Sequence, residues 1–84
     1  MKHAGTDALD VLEPLLARIR SHAQLKEKKR GLFYRNGKSF LHFHEDPAGL
    51  FADLFDSPNA WRLRVSEPPE HDALLAKIKA VLGE

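Results

Sequence analysis

The sequence predicts an α+β fold, a two-layer sandwich built as helix, four-stranded antiparallel meander and helix, with both helices on one sheet face. Three observations predict it. Apolar residues recur at helical spacing near both ends of the chain, an Asn-Gly pair separates two short alternating runs, and two more turn signals divide residues 38–65 into strands. The 84 residues suffice for one domain and one core, so 1–84 is read as a single unit. A chain this short cannot enclose a deep site beside its core, and a ligand is expected on a face, an edge or a protomer interface.

Met1 to Gly5 has no pattern and is expected to be disordered. Leu9, Leu12, Leu16, Ile19 and Ala23 then mark one face of a first helix, starting near residue 7 or 11 and ending near residue 23. Pro14 favours the later start, because a first-turn residue has no intrahelical N–H bond to lose. Lys26 to Arg30 reads as a solvated basic linker before Gly31.

Asn36-Gly37 supplies the two positive-φ residues of a type I′ turn. That turn sets Arg35 opposite Lys38, Tyr34 opposite Ser39, Phe33 opposite Phe40 and Leu32 opposite Leu41. Glu45 to Gly49 forms the next turn, with Phe43 opposite Leu50, and Asp56 to Asn59 forms a third. Pairing Phe55 with Ala60 sets Arg62 opposite Asp53, an exposed pair expected to contribute about 0–1 kcal/mol. Ser66 with Pro68-Pro69 opens a last helix whose apolar stripe is Leu74, Leu75, Ile78, Val81 and Leu82.

Strict alternation divides the sheet into two faces. One carries Leu32, Tyr34, Leu41, Phe43, Leu50, Ala52, Leu54, Trp61, Leu63 and Val65, and the helices cover it. The other is open and carries Phe33, Phe40, Phe51 and Phe55 among Arg35, Lys38, His42, His44, Asp53, Arg62 and Arg64. Phenylalanines on a solvent face suggest a partner. The leading expectation is therefore a non-catalytic protein-interaction module, a homodimer or a docking site for another protein. Its interface candidates are Phe33, Phe40, His42, His44, Phe51, Asp53, Arg62 and Arg64.

Two alternatives use the same face. Rings interleaved with cations are the pattern of a single-stranded nucleic-acid or DNA-binding module, although no RNP signature is present. His42-Phe43-His44 puts two imidazoles on one strand face, and Asp53 is the in-register third ligand for a metal. Glu45 or Asp46 could reach the pair from the turn. No nucleophile elbow and no phosphate-binding loop is found, and alternation sends Ser39 to the face opposite His42, so neither an enzyme nor a cofactor is expected. The absence of cysteine excludes disulfides and thiolate metal sites. The formal net charge of +1 makes no global case for nucleic acid. No apolar run can span a bilayer, so no membrane partner is expected and a cytoplasmic location follows by default.

The element order, and the phrase R-G-L-F-Y-R-N-G-K-S-F-L-H-F-H-E-D-P-A-G-L-F-A-D-L, resemble a small family of bacterial proteins. Through Gly37, Lys38 and Phe40, matching a G-K-x-F hairpin, residues 7–65 also resemble the MmcQ/YjbR-like group. That resemblance implies a double-wing, DNA-binding-like fold with a nucleic-acid or protein partner, and carries over no catalytic residue. The H-F-H-E-D-P-A-G turn departs from the group's pattern.

Overall fold

Asn36 and Gly37 adopt φ of 52° and 78°, the two left-handed conformations that a type I′ turn needs, and close the central hairpin as the sequence requires. The computed structural model describes all residues from Met1 to Glu84. In chain order they form β1 (Lys2–His3), α1 (Thr6–Ile19), β2 (Lys26–Lys29), β3 (Leu32–Arg35), β4 (Lys38–Asp46), β5 (Gly49–Asp56), β6 (Asn59–Arg64) and α2 (Pro68–Leu82). The α+β architecture is as expected, but the sheet has six strands rather than four, in the order β2-β3-β4-β5-β6 with β1 joined to β4.

The two additional strands come from segments read as unstructured. Lys26–Lys29 pairs with β3 and forms a charged edge strand, where lysines discourage pairing with another chain. Lys2–His3, expected to be disordered, pairs with the second half of β4, His3 opposite His44 and Lys2 opposite Glu45. β5 occupies one edge of β4 from Leu41 to Asp46. β3 takes only Lys38 to Leu41 on the other edge, which leaves β1 room beside His44. Short range offers no signal for such a pairing, because the partners are more than forty positions apart, roughly the separation of the Gly5 N–H and Glu45 Oε2 that meet at 2.6 Å. Ala4 N–H adds a bond of 3.0 Å to Phe43 C=O.

Both helices join a single core. Leu12, Leu15, Leu16 and Ile19 of α1 and Leu74, Ile78 and Leu82 of α2 meet Leu41, Phe43, Ala52, Leu54 and Val65. α1 starts at Thr6, so Pro14 lies inside it rather than in its first turn. Pro14 and Asp10, whose carbonyl loses its usual N–H partner, both lie away from the core, and water can serve that carbonyl. The helix ends at Ile19, short of Ala23, where Ser21 Oγ donates to Arg18 C=O at 2.8 Å. At the start of α2, Glu70 accepts from the backbone N–H groups of Ser66 and Glu67, both at 2.9 Å. Leu41 and Phe43 are buried as expected, whereas Leu50 and Trp61 are half-buried at the margin. Lys77 covers the Trp61 ring with its ammonium 4.1 Å from the centroid.

One register shift changes the faces. Arg35 and Tyr34 meet Lys38 and Ser39 as expected, but Phe33 then pairs with Leu41, not Phe40. Phe40 is the extra residue of a β-bulge, and the ladder beyond it is offset by one. Phe33 and Phe40, both expected on the open face, are therefore core residues, 1% and 2% exposed. Leu32 and Tyr34 take the open side instead, and Lys28 lies over the Tyr34 ring at 4.4 Å. Arg35 also changes sides and donates to Gln24, which in turn donates to Leu82 C=O at the end of α2. The β4–β5 hairpin departs from expectation too, with Phe43 opposite Ala52 rather than Leu50. That slip is even, so its side chains keep their faces.

Candidate functional site

The bulge and β1 together assemble the site. Beyond Phe40 the parity of β4 is the expected one, and His42 and His44 project from the face opposite the helices. Pairing of β1 brings His3 beside His44, and the rings stack with centroids 4.8 Å apart. His42 lies 5.9 Å from His3, centroid to centroid, and Phe55 packs edge-on against His42 at 5.6 Å. One ligand nitrogen from each of His3, His42 and His44 falls within 4.8 Å of the others.

Each ring on β4 is held from behind. Asp53 stands opposite Arg62, as expected, and the two-residue slip of the β4–β5 hairpin sets it opposite His42 as well, where the sequence placed Phe51. Its Oδ1 accepts from Arg62 Nε at 2.6 Å, and its Oδ2 from Arg62 Nη2 at 2.9 Å. The same Oδ2 lies 3.0 Å from His44 Nε2. An imidazole that ligates a metal through Nδ1 carries its hydrogen on Nε2, the nitrogen that here meets the carboxylate. Nδ1 is buried and has no partner, the one buried side-chain nitrogen or oxygen in the protein left so. Such a group costs stability unless something occupies it. Ser39 Oγ, on the same face as His42 because of the bulge, lies 2.5 Å from His42 Nε2.

The electrostatics favour a neutral His42 and an ionised Asp53. Burial lowers the pKa of His42, and the neighbouring His3 and His44 lower it further, against the opposing pull of Asp53. The Arg62 hydrogen bonds hold Asp53 below its ordinary value, outweighing the opposite effect of burial, with help from the Arg62 charge and the two β4 histidines. Asp53 is buried, at 9% exposure, rather than the exposed partner of an ion pair that alternation suggested. Neutral imidazoles with fixed hydrogens are the form in which histidine binds metals.

The structure brings His42, His44, Asp53 and Arg62 together and places Arg64 apart, in contact with Glu70 at 3.1 Å. Phe51 and Phe55 remain half-buried on the open face, but the expected patch of Phe33, Phe40 and Phe51 does not form, since two of its rings are in the core. Asp53, expected as the third metal ligand, instead supports His44 from behind, and Glu45 is engaged by Gly5 N–H and Lys2. Sequence reasoning missed His3 and Ser39. The available signal for His3 was its residue type beside an H-x-H strand, and for Ser39 a bulge that no local pattern announces. No helix is long and apolar enough to cross a membrane. Comparison with family models, curated proteins and solved structures finds no match.

Proposed function

We propose that this protein binds a divalent transition metal on the open face of its sheet, through His3, His42 and His44. The observation that carries this reading is His44 Nδ1, buried and unpartnered while Asp53 holds the opposite nitrogen. A carboxylate behind a ligating imidazole is the usual outer support of a histidine metal site, fixing both tautomer and ring orientation. Three imidazoles without thiolate suit zinc, copper, nickel or cobalt rather than magnesium or calcium, which prefer oxygen. A tetrahedral ion at about 2.0–2.1 Å from each nitrogen separates them by about 3.4 Å. The present spread of up to 4.8 Å therefore has to close somewhat, and exposed His3 on the two-residue β1 is the ligand freest to move. An aromatic interface for a homodimer, another protein or single-stranded nucleic acid is less well supported, since Phe33 and Phe40 are core residues.

The test is calorimetric titration of metal-stripped, untagged protein with Zn(II), Co(II) and Ni(II). One ion per chain is expected for at least one metal, with binding lost in His44→Ala and His42→Ala. If these metals bind no better than to a variant lacking all three histidines, the reading is wrong.

A further inference from the structure

Resting on the three-histidine reading, we infer that the bound metal keeps one coordination position open to solvent and takes there a small exchangeable anion. Only three ligating side chains converge, and no carboxylate or thiol joins them. The nearest carboxylate is already committed. Asp53 Oδ1 is 2.6 Å from Arg62 Nε, and Oδ2 is shared between Arg62 Nη2 and His44 Nε2. Coordination by Asp53 would break the contacts that orient His44. Ser39 offers a neutral hydroxyl that is engaged with His42 Nε2. The fourth position therefore falls to water or to a solute.

Charge selects the solute. Three neutral imidazoles leave a divalent ion with its full +2, whereas Asp53 is offset by Arg62 and adds little negative potential. A metal with three protein nitrogens and one water is also the arrangement of catalytic rather than structural zinc. Neither helix covers this face, and His3 is exposed, so the approach is from solvent. The chemistry is ligand exchange. Metal-bound water leaves as the anion's lone pair binds, with no change in oxidation state. Small anions with one or two donor atoms, such as azide, acetate or bicarbonate, fit an uncrowded position of this kind.

The experiment uses the full chain loaded with Co(II), whose visible bands report coordination number. Loading is measured first, by stoichiometry and by the appearance of those bands. If loading fails, the metal reading itself fails. With Co(II) bound, azide and acetate should each produce a saturable spectral change of one anion per metal, reversed by dialysis. No change at saturating anion overturns the open position, and a fourth ligand donated by a second chain would then appear as a metal-dependent dimer in light scattering. Arg62→Ala releases Asp53 toward the metal and should weaken azide binding about tenfold, because a free carboxylate competes for the position and opposes the anion. Unchanged azide affinity in that variant would remove Asp53's restraint as the reason the position stays open.

Discussion

Ser39 Oγ and His42 Nε2 lie 2.5 Å apart on one face of β4, although simple alternation puts residues three apart on opposite faces. The bulge at Phe40 reconciles the two, because Phe40 and Leu41 both turn into the core and the strand resumes its alternation one residue late. Phe40 is thus a core anchor that also aims the histidines. Phe40→Ala should cost about 3–5 kcal/mol in urea unfolding, a large part of the stability of so small a domain. A loss under about 1 kcal/mol would return Phe40 to the solvent face and undo the bulge.

Asp53 links stability to the metal site. Asp53→Asn keeps the shape but weakens the charge-assisted hydrogen bonds from Arg62 and the contact with His44 in a buried place. We expect a stability loss of about 1–3 kcal/mol and a fall in metal affinity of about 10–100-fold. Chemical denaturation and competition titration measure the two separately. A full stability loss with unchanged metal affinity would show that Asp53 serves the fold alone.

Acid should weaken the α1–β2 junction. Arg20 and Arg30 hydrogen bonds lower the pKa of Glu13 from its ordinary value of 4.5. Burial pushes Glu27 upward, but the Arg20 guanidinium and the Gly31 N–H together outweigh it and the net shift is downward. Carboxylates lowered in the folded state stabilise it fully above their unfolded pKa, and that contribution is lost as pH falls through the folded value. Arg20→Met should therefore melt below wild type at neutral pH, and the gap should narrow as pH falls below the ordinary carboxylate value of 4.5. A gap independent of pH would assign the effect of Arg20 to packing.

The fold was legible where signals are local. Asn36-Gly37 fixed the central turn, and the stripes of Leu12, Leu16 and Ile19 and of Leu74, Ile78 and Leu82 identified the helices and the face they cover. The pairing of Asp53 with Arg62 followed from the last turn. A one-residue bulge was not legible, because Phe40 suits either face by residue type, and the odd offset reversed Phe33, Tyr34 and Arg35 together. Nor was β1, since two residues carry no periodicity and their partners lie far along the chain. The site was half visible for the same reason. His42 and His44 share a strand, but His3 reaches them only through tertiary pairing.

Metal should fasten β1 to the sheet. The strand is two exposed residues long and is held chiefly by its short pairing, the Ala4 and Gly5 N–H bonds and a Lys2–Glu45 contact of 3.5 Å. Few bonds and little buried surface permit local opening without unfolding the core. In the metal-free protein the Ala4 and Gly5 amides should exchange much faster than those of the β4–β5 ladder. An ion bound to His3 as well as to His42 and His44 must lose His3 before β1 can open, and two imidazoles alone hold it far more weakly. At about 100 times its dissociation constant it opposes that opening by about 2.7 kcal/mol, a slowing of about 100-fold. Hydrogen exchange followed residue by residue, with and without Zn(II), reads this directly. Slowing at Ala4 and Gly5 that vanishes in His3→Ala is the expected result. If zinc slows the ladder amides while Ala4 and Gly5 stay fast, the metal is held by β4 alone and His3 is not a ligand.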